Sequence, residues 1–166
     1  MTGAPPAASP VTDDPAAFAA LLPPSGALLG LDLGTRTIGL ALSDVTRSVA
    51  TPMSTLRRRK FGQDAAALEA LVAERGVVGV VLGLPLNMDG SEGPRLQSTR
   101  AFARNLSRRG APPLAFWDER LSTVAAERAL LEADTSRRRR SEIIDSVAAG
   151  YILQGMLDRL RHLEGR

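Results

Sequence analysis

The chain has 166 residues and 17.6 kDa, which suits a single domain that buries about 68–70% of its unfolded surface. It contains no cysteine and one histidine, His162, so disulfides, thiolate zinc sites and histidine clusters are excluded, and any metal must be held by oxygen, which points to Mg2+ or Mn2+. A formal charge of +3 and a pI near 10.4 favour a polyanionic partner such as nucleic acid; with no apolar run of about 18 residues and no signal peptide, a membrane partner is not expected and the chain reads as cytoplasmic.

Residues 1–26 hold six of the 11 prolines and many alanines, a composition that reads as a disordered tail, with at most one helical turn in "DPAAFAALLPP". Its removal is expected to leave activity unchanged. The charge imbalance lies entirely beyond it, because Asp13 and Asp14 are its only charged residues. Of the 21 basic residues 20 are arginine, which codon usage explains as well as nucleic-acid binding does.

From Ala27 the pattern changes, and residues 27–166 read as one domain. "ALLGLDL" and "TIGLALSD" are strand-like runs joined by a Gly-Thr-Arg turn, and "RSVATP" supplies a short third strand that Pro52 ends. After the basic loop Arg57-Arg58-Arg59-Lys60, "FGQDAAALEALVAERG" has helical spacing and a capping glycine at Gly76. "VVGVVLG" is apolar throughout, as in a strand buried on both faces. The loop "LPLNMDGSEGP" leads to a helix from Pro94, "PLAFWDE" is the next strand, and helices follow at about 122–133 and 142–160, separated by the basic loop Arg137–Arg140. A β-meander followed by αβαβαα means an α/β fold with a mixed sheet.

Carboxylates are placed unusually in this pattern. Asp32 sits inside the apolar first strand, where an ionised group is costly without a partner cation or solvent. Asp118 and Glu119 end the last strand, and since neighbours on a strand point to opposite faces, only one of them can share a face with Asp32. Asp145 lies one turn into the final helix, ahead of Ala148 and Ala149, small residues that let that end of the helix approach the sheet. Three acids from separate elements could converge around one or two divalent ions, an arrangement suited to phosphodiester hydrolysis. The helix dipole alone also favours Asp145, and Asp118-Glu119-Arg120 also reads as an exposed charged edge.

Five motifs in order, "GLDLGTRTIGLALSD", "ATPM", "VVLGLPLNMDGSEGP", "FWDERLST" and "IIDSVAAGYILQGMLD", resemble the YqgF/RuvX family of pre-16S rRNA nucleases and Holliday junction resolvases over about residues 28–160. The resemblance implies an RNase H-like fold, five strands with helices on both faces, and metal-binding catalytic acids at Asp32, Glu119 and Asp145, with Asp118 in a supporting role. It implies a loop beside the site in which Asn87 and Asp89 position substrate. Two departures stand out: Thr37 takes a position where members often carry a basic residue, with Arg36 adjacent as a substitute, and "LST" replaces Leu-Thr-Thr.

The candidate nucleic-acid contacts are thus Arg36, Asn87, Asp89, Arg120, Arg137, Arg138, Arg139 and Arg140. The run at 57–60 reads as a solvated loop, whereas 137–140 precedes Asp145 closely enough to hold phosphate. The expected activity is metal-dependent cleavage of structured nucleic acid, foremost 5′-end processing of pre-16S rRNA. The alternative is resolution of a four-way DNA junction, whose symmetric cutting would call for a homodimer. Two readings from other classes compete: a nucleic-acid-binding module without catalysis, and an ATP-binding protein of the actin and sugar-kinase type, for which the chain is too short to hold the required second domain.

Overall fold

The computed structural model describes residues 6–87, 89–121 and 137–165, of which 137–145 are described by backbone alone. Among the described residues the strands are β1 (Val11–Thr12), β2 (Ala27–Leu33), β3 (Thr37–Ser43), β4 (Ala50–Arg57), β5 (Val77–Leu84) and β6 (Leu114–Asp118). The helices are α1 (Pro15–Leu21), α2 (Phe61–Arg75), α3 (Pro94–Arg108) and α4 (Arg137–Leu163). One mixed sheet runs β1-β6-β5-β2-β3-β4. The β2–β3–β4 meander is antiparallel, while β2, β5, β6 and β1 run parallel to one another.

Each central strand is apolar on both faces because each face is covered by helices. Leu29, Leu31, Val80, Leu82, Leu114 and Phe116 meet α2 and α3 through Leu68, Leu96, Phe102 and Leu106. Leu28, Val81, Ala115 and Trp117 meet α4 through Ala148, Ala149, Ile152, Leu153 and Met156. The ends of α2 and α3 match their sequence signals: α2 stops at Gly76 in the left-handed region (φ 61°), and α3 starts at Pro94.

The structure departs from the sequence reading at four places. First, part of the segment assigned to a disordered tail is folded, and the sheet has six strands instead of five. Asp14 caps α1 by accepting the Ala16 N–H, β1 adds in parallel to β6, and Phe18 is fully buried. Its socket exists because residue 79 is glycine: a Cβ there would stand 2.8 Å from Phe18 Cζ. Second, Pro52 does not end β4, which continues to Arg57 because an edge strand can spare the missing N–H. Third, Arg137–Arg140 belong to the first turn of α4 and are not a loop. Fourth, Glu119 lies just beyond β6, in a 3-10 turn over Glu119–Leu121. The helix expected at 122–133 lies outside the described residues.

Candidate active site

The parallel strands β2, β5 and β6 finish at the same edge of the sheet, the end where α/β sheets bind their ligands. Asp32, the penultimate residue of β2, is 2% exposed. Alternation fixes its face. Leu29, Leu31 and Leu33 point to α2 and α3, so Leu28, Gly30 and Asp32 point to α4. Gly30 shows how close that helix lies, since a Cβ on it would be 2.8 Å from Leu153 Cβ and 3.0 Å from the Ala149 carbonyl oxygen.

The adjacent acids are separated where β6 ends. Ala115 and Trp117 face α4, and the 3-10 turn that follows Asp118 carries Glu119 to the same side. A Cβ on Gly83 would stand 2.9 Å from Glu119 Oε1, so this carboxylate lies over β5. Leu31 pairs with Leu82, which sets Asp32 level with Gly83 on the neighbouring strand, about 4.8 Å across the sheet. Asp118 faces away. Its carboxylate accepts two-pronged hydrogen bonds from the Arg120 guanidinium (2.8–3.1 Å) and one from the Arg120 backbone N–H (2.9 Å). The Arg120 bond holds the Asp118 carboxyl below the usual carboxylate range.

Position 145 falls on α4 one turn before Ala149 and two before Ile152, the residues over Gly30 and Gly83. Its side chain lies outside the described residues, as do those of Arg137–Arg140. Among the described residues no group of three metal-competent side chains forms. Among the described residues, Asp32 and Glu119 are brought to one face.

The loop after β5 is internally bonded. Asp89 Oδ1 accepts from the Ser91 N–H (2.9 Å) and hydroxyl (2.6 Å), the Asn87 side-chain amide donates to the Ser91 hydroxyl (2.9 Å), and Gly90 takes a positive φ of 86°. Asn87 and Asp89 therefore shape the loop, and Arg120 Nη1 reaches it, 3.3 Å from where a Cβ on Gly90 would be. Arg100 of α3 ties the loop to the N-terminal segment by pairing with both Glu92 (2.9 Å) and Asp13 (3.2 Å). Arg36 is exposed at the β2–β3 turn. Gly83, whose lack of a side chain leaves room for Glu119 Oε1 and Ile152, is a position the sequence reading missed. The signal was a glycine inside an apolar strand, which marks a close approach by another group.

The six-stranded arrangement is similar to two solved structures of Thermus thermophilus RuvC. One, in complex with a Holliday junction substrate, is 14% identical, with a TM-score of 0.51 over 81% of this chain and 96% of that one. The other is 13% identical, with a TM-score of 0.51 over 84% and 96%. This likeness gives the chain an RNase H-like α/β fold, with Asp32 and Glu119 at the carboxyl ends of its strands. The chain belongs to the RuvX family, whose model, described as Holliday junction resolvase, matches residues 26–159. Curated relatives from Cereibacter sphaeroides (72% identical; 86% of this chain, 89% of the relative) and Ruegeria pomeroyi (71% identical; 88% and 95%) both carry the name "Putative pre-16S rRNA nuclease".

Proposed function

We propose that this protein is a divalent-metal-dependent nuclease that trims the 5′ end of precursor 16S rRNA. The observation that carries the reading is the placement of the buried Asp32 and of Glu119 on one face of the sheet, at its ligand-binding end, under the helix that carries residue 145. The names of the relatives point to the RNA substrate. The donor chemistry fits Mg2+ or Mn2+: the candidate ligands Asp32, Glu119 and Asp145 are all carboxylates, and His162 lies 17 residues further along α4, roughly 25 Å away. When bound, such ions supply an activated water and stabilise the leaving oxygen.

The chain's own residues hold the site in register. Stepping four residues back from Ala149 moves about 6 Å along α4, and stepping from Gly30 to Asp32 moves about 6.6 Å along β2, so positions 145 and 32 advance together toward the same edge. Ile152, fully buried over Gly83, closes the floor against water. Asp118 fixes Arg120 beside the loop, while Arg36 and Arg137–Arg140 are the proposed phosphate contacts. The family description and the RuvC-like fold favour a second substrate, the four-way DNA junction, whose symmetric resolution would require a homodimer.

The test is a side-by-side assay with Mg2+ or Mn2+ on a 5′-extended 16S precursor and a synthetic junction. Wild type is expected to cut the precursor faster. Asp32→Asn is expected to abolish cleavage while binding is kept. Wild-type cutting by Asp32→Asn would remove that carboxylate from the chemistry, and preferential cutting of the junction would exchange the substrates.

A further inference from the structure

The loop that closes β4 lies beside the candidate site, and its charges are distributed unevenly among structural tasks. Arg58 is consumed internally. Its backbone N–H donates to the Arg36 carbonyl (2.8 Å), its guanidinium donates to the Gly34 carbonyl (2.7 Å), and that guanidinium also sits 5.7 Å over the Phe102 ring. Next to it, the Arg59 backbone N–H donates to the buried Asp64 carboxylate (3.0 Å), which pins the loop against the start of α2. These bonds hold the backbone rigid and tie the 34–37 turn to the 57–60 loop.

The remaining cations of the cluster have no such duty. The side chains of Arg36, Arg57, Arg59 and Lys60 are exposed, and among the described residues none of the four pairs with a carboxylate. Elsewhere Arg100, Arg109 and Arg120 each have an acidic partner, and Arg104 and Arg108, exposed and without an ion pair among the described residues, stand on α3, across the sheet from the face that holds Asp32. A group of unneutralised charges on a fixed backbone is a preorganised polyanion surface, because its repulsion is relieved only when an anion arrives.

Register places the group relative to Asp32. Thr37 pairs with Arg57, and Ile38 and Leu56, which also pair, both pack toward α2 and α3. Arg57 therefore projects to the opposite face, the one that holds Asp32. It lies two strands across from Asp32 (about 9.6 Å) and two residues further along (about 6.6 Å), a separation of about 12 Å. At about 3.4 Å of rise per nucleotide, this corresponds to three or four nucleotides of a duplex strand.

We propose that Arg57, three or four nucleotides from the bond to be cut, leads a backbone-binding strip that grips the substrate's phosphodiesters and is continued by Arg59 and Lys60, with Arg36 on the turn tied to them. The proposal rests on the nuclease reading, and a binding measurement separates the two. It uses the full chain carrying Asp32→Asn, without added divalent metal, and follows the fluorescence anisotropy of a labelled 5′-extended 16S precursor and of a labelled four-way junction as monovalent salt is raised. Arg57→Gln/Arg59→Gln/Lys60→Gln is expected to flatten the slope of log K against log salt by about 2.7 on duplex DNA and by about 2.1 on single strands. Arg104→Gln/Arg108→Gln, which removes two exposed α3 cations, is expected to leave the slope nearly unchanged.

Loss on both probes identifies a general backbone contact, and loss on one identifies the substrate the strip serves. An unchanged slope in the triple variant, or equal flattening by the α3 pair, overturns the strip even if the wild type cuts well. A flattened slope with no cleavage by the wild type would leave the strip standing and remove the nuclease reading.

Discussion

Gly83→Ala tests the geometry under the candidate site with one methyl group. The added Cβ would stand 2.4 Å from Ile152 Cδ1, 3.0 Å from Ile152 Cγ1 and 2.9 Å from Glu119 Oε1. Carbon contacts are comfortable at about 3.5–4.0 Å, so Ile152 must retreat by about 1 Å. Turning χ2 can swing Cδ1 aside, but Cγ1 is held by the stiff χ1 of this fully buried, β-branched residue, so its 3.0 Å contact is relieved only by a shift of α4 of a few tenths of an ångström. Overpacking of this kind costs about 1–3 kcal/mol, which for a domain of this size lowers Tm by roughly 2–12 °C. Glu119 Oε1 must also give way, by about half an ångström, and since a displacement of about 1 Å at reacting groups can cost about 100-fold in rate, a loss of about 10-fold is expected. Thermal unfolding and single-turnover cleavage read the two effects separately. Gly30→Ala pushes the same helix through Leu153 and the Ala149 carbonyl but does not touch Glu119, so it should lose Tm with a smaller loss of rate. Adding Ile152→Val to Gly83→Ala should recover much of the Tm and leave the rate depressed. A Gly83→Ala protein with wild-type Tm and rate, or with no more loss of rate than Gly30→Ala, would refute the placement of Glu119 over β5.

Two further outcomes are expected. Phe18→Ala empties a fully buried socket and should cost about 3–5 kcal/mol in urea unfolding, unless the segment around α1 detaches first and limits the loss; a change below about 1 kcal/mol would restore the tail reading. At the β3–β4 turn, Asp44 accepts bonds from the Thr46 hydroxyl and the Ser48 and Val49 N–H groups, and these bring its pKa from 3.8 to about 2. A depressed carboxylate stabilises the fold above its unfolded pKa, so this contribution should be complete above about pH 4 and fade as pH falls toward 2. Tm measured against pH should show the wild type's advantage over Asp44→Asn shrinking across that window, and a constant difference would contradict the assignment.

What was legible in the sequence follows from what each residue needs to express itself. Asp32 stood out because a single acid in an apolar strand conflicts with its neighbours, and such a conflict is visible locally. Gly76 and Pro94 mark helix ends through their own backbone preferences, which require no partner. Phe18 gave no such signal. It is one aromatic ring in an alanine- and proline-rich stretch, and its socket is made by Gly79 some 60 residues away, so its burial is a property of the pair. Pro52 misled for a related reason: proline is excluded from a strand only where its missing N–H would face a neighbour, and strand order, which is tertiary information, put β4 at the edge.

The basic residues extend the same logic to function. Composition counts Arg58 and Arg59 alike, yet the fold occupies the first with Gly34 and Phe102 and leaves the side chain of the second exposed. A charge becomes available to a ligand only after the protein's own carbonyls, rings and carboxylates have taken their share. That division is settled by packing, and so a run that reads as a solvated loop can become a surface with a defined distance from Asp32. The acids follow the same rule, since Asp118 and Glu119 differ chemically by one methylene, yet the pleat of β6 turns the first away from Asp32 and the 3-10 turn beyond it brings the second to Asp32's face. One is fixed by Arg120 and the other is held over Gly83. The identity of the residues sets the chemistry that is available, and the register of β2, β5 and β6 decides which of them can act together.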